Sequence, residues 1–177
     1  TTVDDVSYQF STISDVTKSN TGNTIPFVGV DIYEGSFITT RYTVDSSDVD
    51  QRFIITDNRA DTTTLTVKVQ TSSTDSSSNT FTEATDITQV TTGSNVYFLQ
   101  EVEAGLFEVY FGDGIIGTAL SDDNIVILTY VVSNKTAANG ASIFTNSAAI
   151  ASVTDIAVAT SATSTAGSEP ESISSIK

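Results

Sequence analysis

Val96-Tyr97-Phe98-Leu99-Gln100-Glu101-Val102, Glu103-Ala104-Gly105, Leu106-Phe107-Glu108-Val109-Tyr110-Phe111 and Gly112-Asp113-Gly114-Ile115-Ile116-Gly117 follow one another without a break, and their reading decides the fold. The first and third pieces are rich in β-branched and aromatic residues and are bounded by turn formers. They predict two strands of a hairpin folded about Glu103-Ala104-Gly105. Three glycines after Phe111 permit positive φ and close backbone approach, so the chain can bend sharply into its next strand. Asp113 is placed to accept hydrogen bonds from amides inside that bend. After an acidic turn at residues 121–124 comes Ile125-Val126-Ile127-Leu128-Thr129-Tyr130-Val131-Val132, apolar on both faces, which predicts a strand covered on both sides.

Upstream, Leu65-Thr66-Val67-Lys68-Val69 alternates with its three apolar residues on one face, a half-buried strand. Arg52-Phe53-Ile54-Ile55 predicts a short one. Phe27-Val28-Gly29-Val30-Asp31-Ile32-Tyr33 reads as a strand, Glu34-Gly35-Ser36 as a tight turn and residues 37–44 as the returning strand of a hairpin. Residues 72–79 are a Ser/Asp tract with nothing to bury, hence an exposed loop, and residues 81–90 are irregular or a short strand. Downstream, residues 148–159 place Val153, Ile156 and Val158 in near-alternation and favour a strand over a helix. Residues 161–168 have linker composition. Glu169-Pro170-Glu171-Ser172 has the features of a helix start, with Pro in the first turn and acids at the positive end.

These readings predict a mainly β protein, with antiparallel sheets forming a sandwich or a barrel-like domain and a short helix beginning at the C-terminus. Residues 1–23 form an N-terminal arm or linker, with Val6, Tyr8 and Phe10 as its anchors and candidate contact residues. Residues 24–160 form the β-rich domain, as one core or as two small β units split near residues 90–95. Residues 161–177 form the linker and helix start. No Met occurs even at position 1, and the helix start is cut short at Lys177, so the chain is expected to be a segment of a longer protein.

Composition agrees with sheets. Ser and Thr make up 54 of 177 residues, which suits strands with polar outer faces and turns more than helices. Twenty-two acids against 7 bases give a formal charge of −15, which repels phosphate backbones, so no nucleic-acid partner is expected. No apolar run approaches the roughly 18 residues of a membrane span, so no membrane partner is expected either.

The chain has neither Cys nor His, which excludes Ser–His–Asp and Cys–His catalysis, disulfides and imidazole or thiolate metal sites. Glu101, Glu103 and Glu108 lie around one hairpin and are read as solvated charges rather than a poised pair. Residues 112–117 fit the G-x-G-x-x-G spacing but open no helix, so they are read as a structural turn (Phe111, Gly112, Asp113, Gly114, Gly117) and not as a nucleotide site. Asp45, Asp48 and Asp50, and Asp122, Asp123 and Asn124, lack the Gly and the bidentate Glu of a calcium loop and are read as turn acids. Neither an enzyme nor a cofactor or metal is expected.

Phe107-Glu108-Val109-Tyr110-Phe111-Gly112-Asp113-Gly114, then Gly117, then the strand at residues 125–130, then Asn139-Gly140, form an ordered set. Some 50 residues after the glycine turn, Ala166-Gly167-Ser168-Glu169-Pro170-Glu171-Ser172-Ile173 adds a Gly-containing linker running into an acidic helix start. Together they resemble the baseplate J-like family of contractile-tailed phages, in particular its baseplate wedge subunits, over residues 27–177. The turn before the Ile125 strand departs from the family in lacking Pro and Gly, and residues 134–140 carry less glycine than usual. The resemblance implies a structural virion protein of the tail baseplate, made in the host cytoplasm. It implies assembly with other wedge subunits and with itself, as a dimer within a ring, and brings no catalytic residues. The contact surfaces expected from the residues are the arm and residues 141–158. The alternative function is a secreted or surface β-domain adhesin that binds carbohydrate or a receptor.

Overall fold

The computed structural model describes residues 1–19, 22–48 and 50–169. Among them eleven strands occur: β1 (Thr2–Val3), β2 (Val6–Ser7), β3 (Phe10–Ser11), β4 (Tyr33–Glu34), β5 (Ser36–Thr43), β6 (Phe53–Ile55), β7 (Ala60–Gln70), β8 (Ser78–Glu83), β9 (Val96–Glu101), β10 (Phe107–Phe111) and β11 (Ile125–Val132). The helical content of the described residues is three short 3-10 turns, and no helix is long and apolar enough to cross a membrane. The expected helix start lies outside the described residues except for Glu169. The chain divides into two units, Phe37–Val132 and Thr1–Ser36 together with Ser133 onward.

The larger unit is one seven-stranded sheet in the order β5-β11-β7-β8-β9-β10-β6. The predicted hairpin lies toward the β6 end of this sheet, with β9 and β10 paired antiparallel from Phe107↔Glu101 to Phe111↔Tyr97. Ala104 and Gly105 take left-handed φ of 63° and 71° at the turn. β6 adds antiparallel on the other side of β10, Val109 facing Phe53. The sheet curls until its two end strands meet: the Tyr42 ring stands edge-on to Phe53 at 5.6 Å, and its Oη donates to the Ile54 carbonyl at 2.5 Å. The arrangement is a nearly closed barrel. Residues 90–95 fall in the connection between β8 and β9, two neighbours of this one sheet.

Two details differ from expectation. The sheet is not wholly antiparallel, because β8 and β9 run parallel, Thr82 beside Val96. A parallel pair needs a crossover rather than a tight turn. Residues 84–95 supply it through a 3-10 turn at Ile87–Gln89, capped by the Asp86 side chain. β11 is covered on both faces only at its end. Val126, Leu128 and Tyr130 are buried inward and Val131 and Val132 are buried too, whereas Ile125, Ile127 and Thr129 are half-buried.

Inside the barrel, Ile55, Val67, Val109, Val126 and Leu128 are fully enclosed. Tyr42, Phe53, Phe111 and Phe81 form a chain of edge-to-face rings at 5.6, 5.6 and 5.4 Å that links β5, β6, β10 and β8. Each such contact contributes about 0.5–1.5 kcal/mol beyond the area it buries. β7 is longer than its alternating core predicts because Thr64 patches an irregularity. Between Thr129↔Thr66 and Val131↔Asp61, β11 advances two residues and β7 five. The Thr64 hydroxyl fills the gap, accepting from the Val131 amide at 2.9 Å and donating to the Asp61 carbonyl at 2.7 Å.

The second unit is built differently. β1 and β2 form a minimal hairpin, and β3 pairs with β4, Phe10 facing Glu34. The expected strand at residues 27–33 is absent apart from Tyr33, and with it the expected hairpin to residues 37–44. Gly29 sits at φ +65° and Val28 is 76% exposed, so the apolar run has no sheet to join. The expected strand at residues 148–159 is also absent. Ala151 and Ser152 take positive φ, and the chain reverses so that Ile150 bridges Val153. Apart from Gly35, the buried residues described in this unit are Ala138 and Ala141. Polar clips hold it. Asn139 exchanges two bonds with Gly167 (2.9 and 3.0 Å), and Ser164 bonds the Ala138 carbonyl and the Ala141 amide. A Cβ on Gly167 would stand 2.1 Å from the Lys135 carbonyl oxygen, so the clip requires glycine.

Candidate functional site

The glycine turn closes on itself. The Asp113 carboxylate accepts from the amides of Ile116 and Ile115 at 3.0 and 2.9 Å, and these donors hold it below the usual carboxylate range. Gly114 donates to the Gly117 carbonyl at 3.1 Å, Gly117 to Thr91 at 3.1 Å and Thr118 to Ser94 at 2.9 Å. A Cβ on Gly112 would stand 2.1 Å from the Ile116 carbonyl oxygen, while Gly114 and Gly117 occupy φ of 85° and 82°. The amides that a phosphate would need already face Asp113. Phe111 leads into the turn as part of the ring chain, and Ile115 at its tip is 72% exposed. Chemically the turn is a rigid corner with an apolar tip.

The hairpin carboxylates do not converge. The register sets Glu108 opposite Gln100 and Glu101 opposite Phe107, so alternation sends Glu101 and Glu108 to opposite faces of the ribbon. Glu108 is bonded to Arg52 at 2.5 Å, which lowers its pKa and raises that of the guanidinium. On the same outer face Phe98 and Tyr110 stack at 5.2 Å with their planes 18° apart, each ring turning one face to the other.

The loop acids serve the backbone. Asp45, Asp61, Asp75 and Asp86 each accept from the amide two residues ahead, at Ser47, Thr63, Ser77 and Thr88. The Ser47 hydroxyl and amide lower the Asp45 pKa, the Ser77 amide and hydroxyl lower that of Asp75, and the Thr88 hydroxyl and amide lower that of Asp86. Asp122 accepts from the amide and hydroxyl of Ser46, and Asp48 from the Asp50 amide. The Asn124 side chain donates to the Thr71 carbonyl. Among the described residues no three acidic groups converge as metal ligands would. The signal for these pins was in the sequence as a recurring Asp-x-Ser/Thr, which composition alone passes over.

Of the candidate contact arm, Val6 is half exposed, and Tyr8 exchanges backbone bonds with Thr1. Phe10 meets Phe144 edge-on at 4.9 Å, a partner that sequence reasoning missed. Beyond β3 and β4 the two segments splay around a shallow groove of about 240 Å³, lined by Ile13, Val16, Lys18, Val30 and Asp31 among others. In residues 141–158, Ile143 is 77% exposed, and Ile150, Val153 and Val158 are about half exposed.

The sequence model described as the third domain of the bacteriophage baseplate wedge protein gp6 matches residues 38–149. The chain belongs to this family. No curated protein matches the chain. The matched gp6 third-domain segment starts within β5, takes in the rest of the seven-stranded sheet with its glycine corner, and continues into the second unit as far as residue 149. It agrees with the wedge-subunit resemblance carried by residues 107–117 and 125–130. Membership points to a baseplate wedge role for the chain.

Proposed function

We propose that this gp6 third-domain relative is a non-catalytic structural part of a phage tail baseplate, completed by neighbouring wedge subunits and by a second copy of itself. One observation carries the reading: beside a nearly closed barrel the chain has a second unit in which Ile25, Val28, Ile143, Ile150 and Val153 stay at the surface and whose described buried side chains are two alanines. Exposed apolar stretches of this kind mark surfaces that a partner covers. The family match supplies the setting, the virion baseplate, and the carboxylates that could have served catalysis are engaged in loops, in an ion pair or on opposite faces.

Sedimentation of the full chain and of a form lacking residues 1–22 tests the reading. The full chain is expected to form a concentration-dependent dimer and to enter baseplate particles, and the shortened form to lose both. A shortened form with unchanged mass and unchanged incorporation removes the arm from the contact surface.

A further inference from the structure

We propose that the line between β5 and β6 is a built-in opening line of the barrel, held shut by two side chains that stand in for a backbone ladder. The other six neighbour pairs of the sheet are joined as strands. Between the end strands, the described residues share no backbone ladder.

What closes the line is side-chain chemistry. The Gln51 carboxamide donates through Nε2 to the Thr43 carbonyl at 2.8 Å and accepts at Oε1 from the Asp45 amide at 3.1 Å. A carboxamide carries the same donor and acceptor as a peptide group, so Gln51 acts as one residue of a missing strand. The Tyr42 hydroxyl takes the place of an N–H toward the Ile54 carbonyl. Burial first, and Tyr130 second, raise the Tyr42 pKa, so the phenol stays a donor at neutral pH. β5 runs eight residues and β6 three, so Phe37 to Thr40 extend beyond what so short a strand can face.

Among the described residues, parting β5 from β6 therefore breaks three side-chain bonds and the Tyr42–Phe53 ring contact, and no ladder. Every other line of the barrel is joined by backbone bonds, over as few as two register pairs at β8–β9. Local opening follows the line with the fewest bonds, and here the result is an open seven-stranded sheet with Tyr42, Phe53 and the β6 edge uncovered. This inference is independent of the assembly role.

Amide hydrogen exchange on the full chain, comparing the parent with Tyr42→Phe and Gln51→Ala, tests it. Loss of one such bond is worth about 1 kcal/mol, or roughly a five- to ten-fold change in an opening equilibrium. Exchange at the Asp45 amide, which donates to Gln51 across the seam, is expected to rise by about that factor in each variant, with the β9–β10 and β6–β10 ladders unchanged. Gln51 lies in a surface loop, so its variant keeps the test valid if Tyr42→Phe fails to fold. Unchanged exchange along the seam, or an equal rise across all strands, overturns the proposal.

Discussion

The barrel at residues 37–132 and the unit formed by the two chain ends share one composition and fold by different means. In the barrel, β-branched and aromatic residues at every second position find a facing strand, and eleven of them close with Leu128 into a single buried cluster. In the other unit apolar residues such as Phe27, Val28, Ile143 and Val153 meet no second layer and stay largely in solvent. Asn139, Ser164 and Gly167 hold the backbone there, while Thr64, Asp113 and the loop aspartates only finish what the barrel core has set. Alternation alone does not make a strand. A strand forms where another element covers its face, and the gp6 third-domain family match spans the region where that occurs.

The contrast can be broken or sharpened by substitution. Leu128→Ala, at a fully buried site, is expected to cost about 2–5 kcal/mol and to lower the melting temperature accordingly. Gly112→Ala forces a methyl group onto the Ile116 carbonyl and is expected to cost about 1–3 kcal/mol in chemical denaturation. Gly93→Ala has open space and is expected to be close to neutral in the same experiment. Ile143→Ala, in the second unit, is expected to change the isolated chain by less than about 0.5 kcal/mol. A loss at Ile143 as large as that at Leu128 would erase the distinction.

The smallest effect is electrostatic. Hydrogen bonds from nearby hydroxyls and amides hold Asp45, Asp75, Asp86 and Asp113 below the usual aspartate range. Depressed carboxylates contribute stability that is fully present above the unfolded pKa and is lost as pH falls through the folded one. Thermal melts should therefore be flat from neutrality down to about pH 5 with respect to these groups and decline below about pH 4. Asp113→Asn should remove part of that decline.

Much of the barrel was legible. β9, β10 and β11 are unbroken runs of strand formers between turn formers, and the glycine corner between them follows from backbone freedom. The first half of β7 was hidden because Asp61-Thr62-Thr63-Thr64 has turn composition, and only the fold shows the Thr64 hydroxyl taking the place of a ladder bond. The parallel β8–β9 pair and the meeting of Tyr42 with Ile54 depend on how distant strands are ordered, which no local pattern records. Residues 27–33 and 148–159 misled for the opposite reason: their local pattern is sound and the covering layer is missing. At the candidate contact surface, the apolar residues were visible in sequence, but the Phe10–Phe144 contact was not.

Hydrogen exchange measured on the dilute chain and again on the same chain within assembled baseplates tests the central contrast directly. The account predicts equal, strong protection of residues 53–55, 65–70, 97–101, 107–111 and 125–132 in both states, with protection of residues 1–19 and 141–158 gained only in the particle. Slow exchange of residues 141–158 in the dilute chain, matching that of the barrel strands, would contradict it.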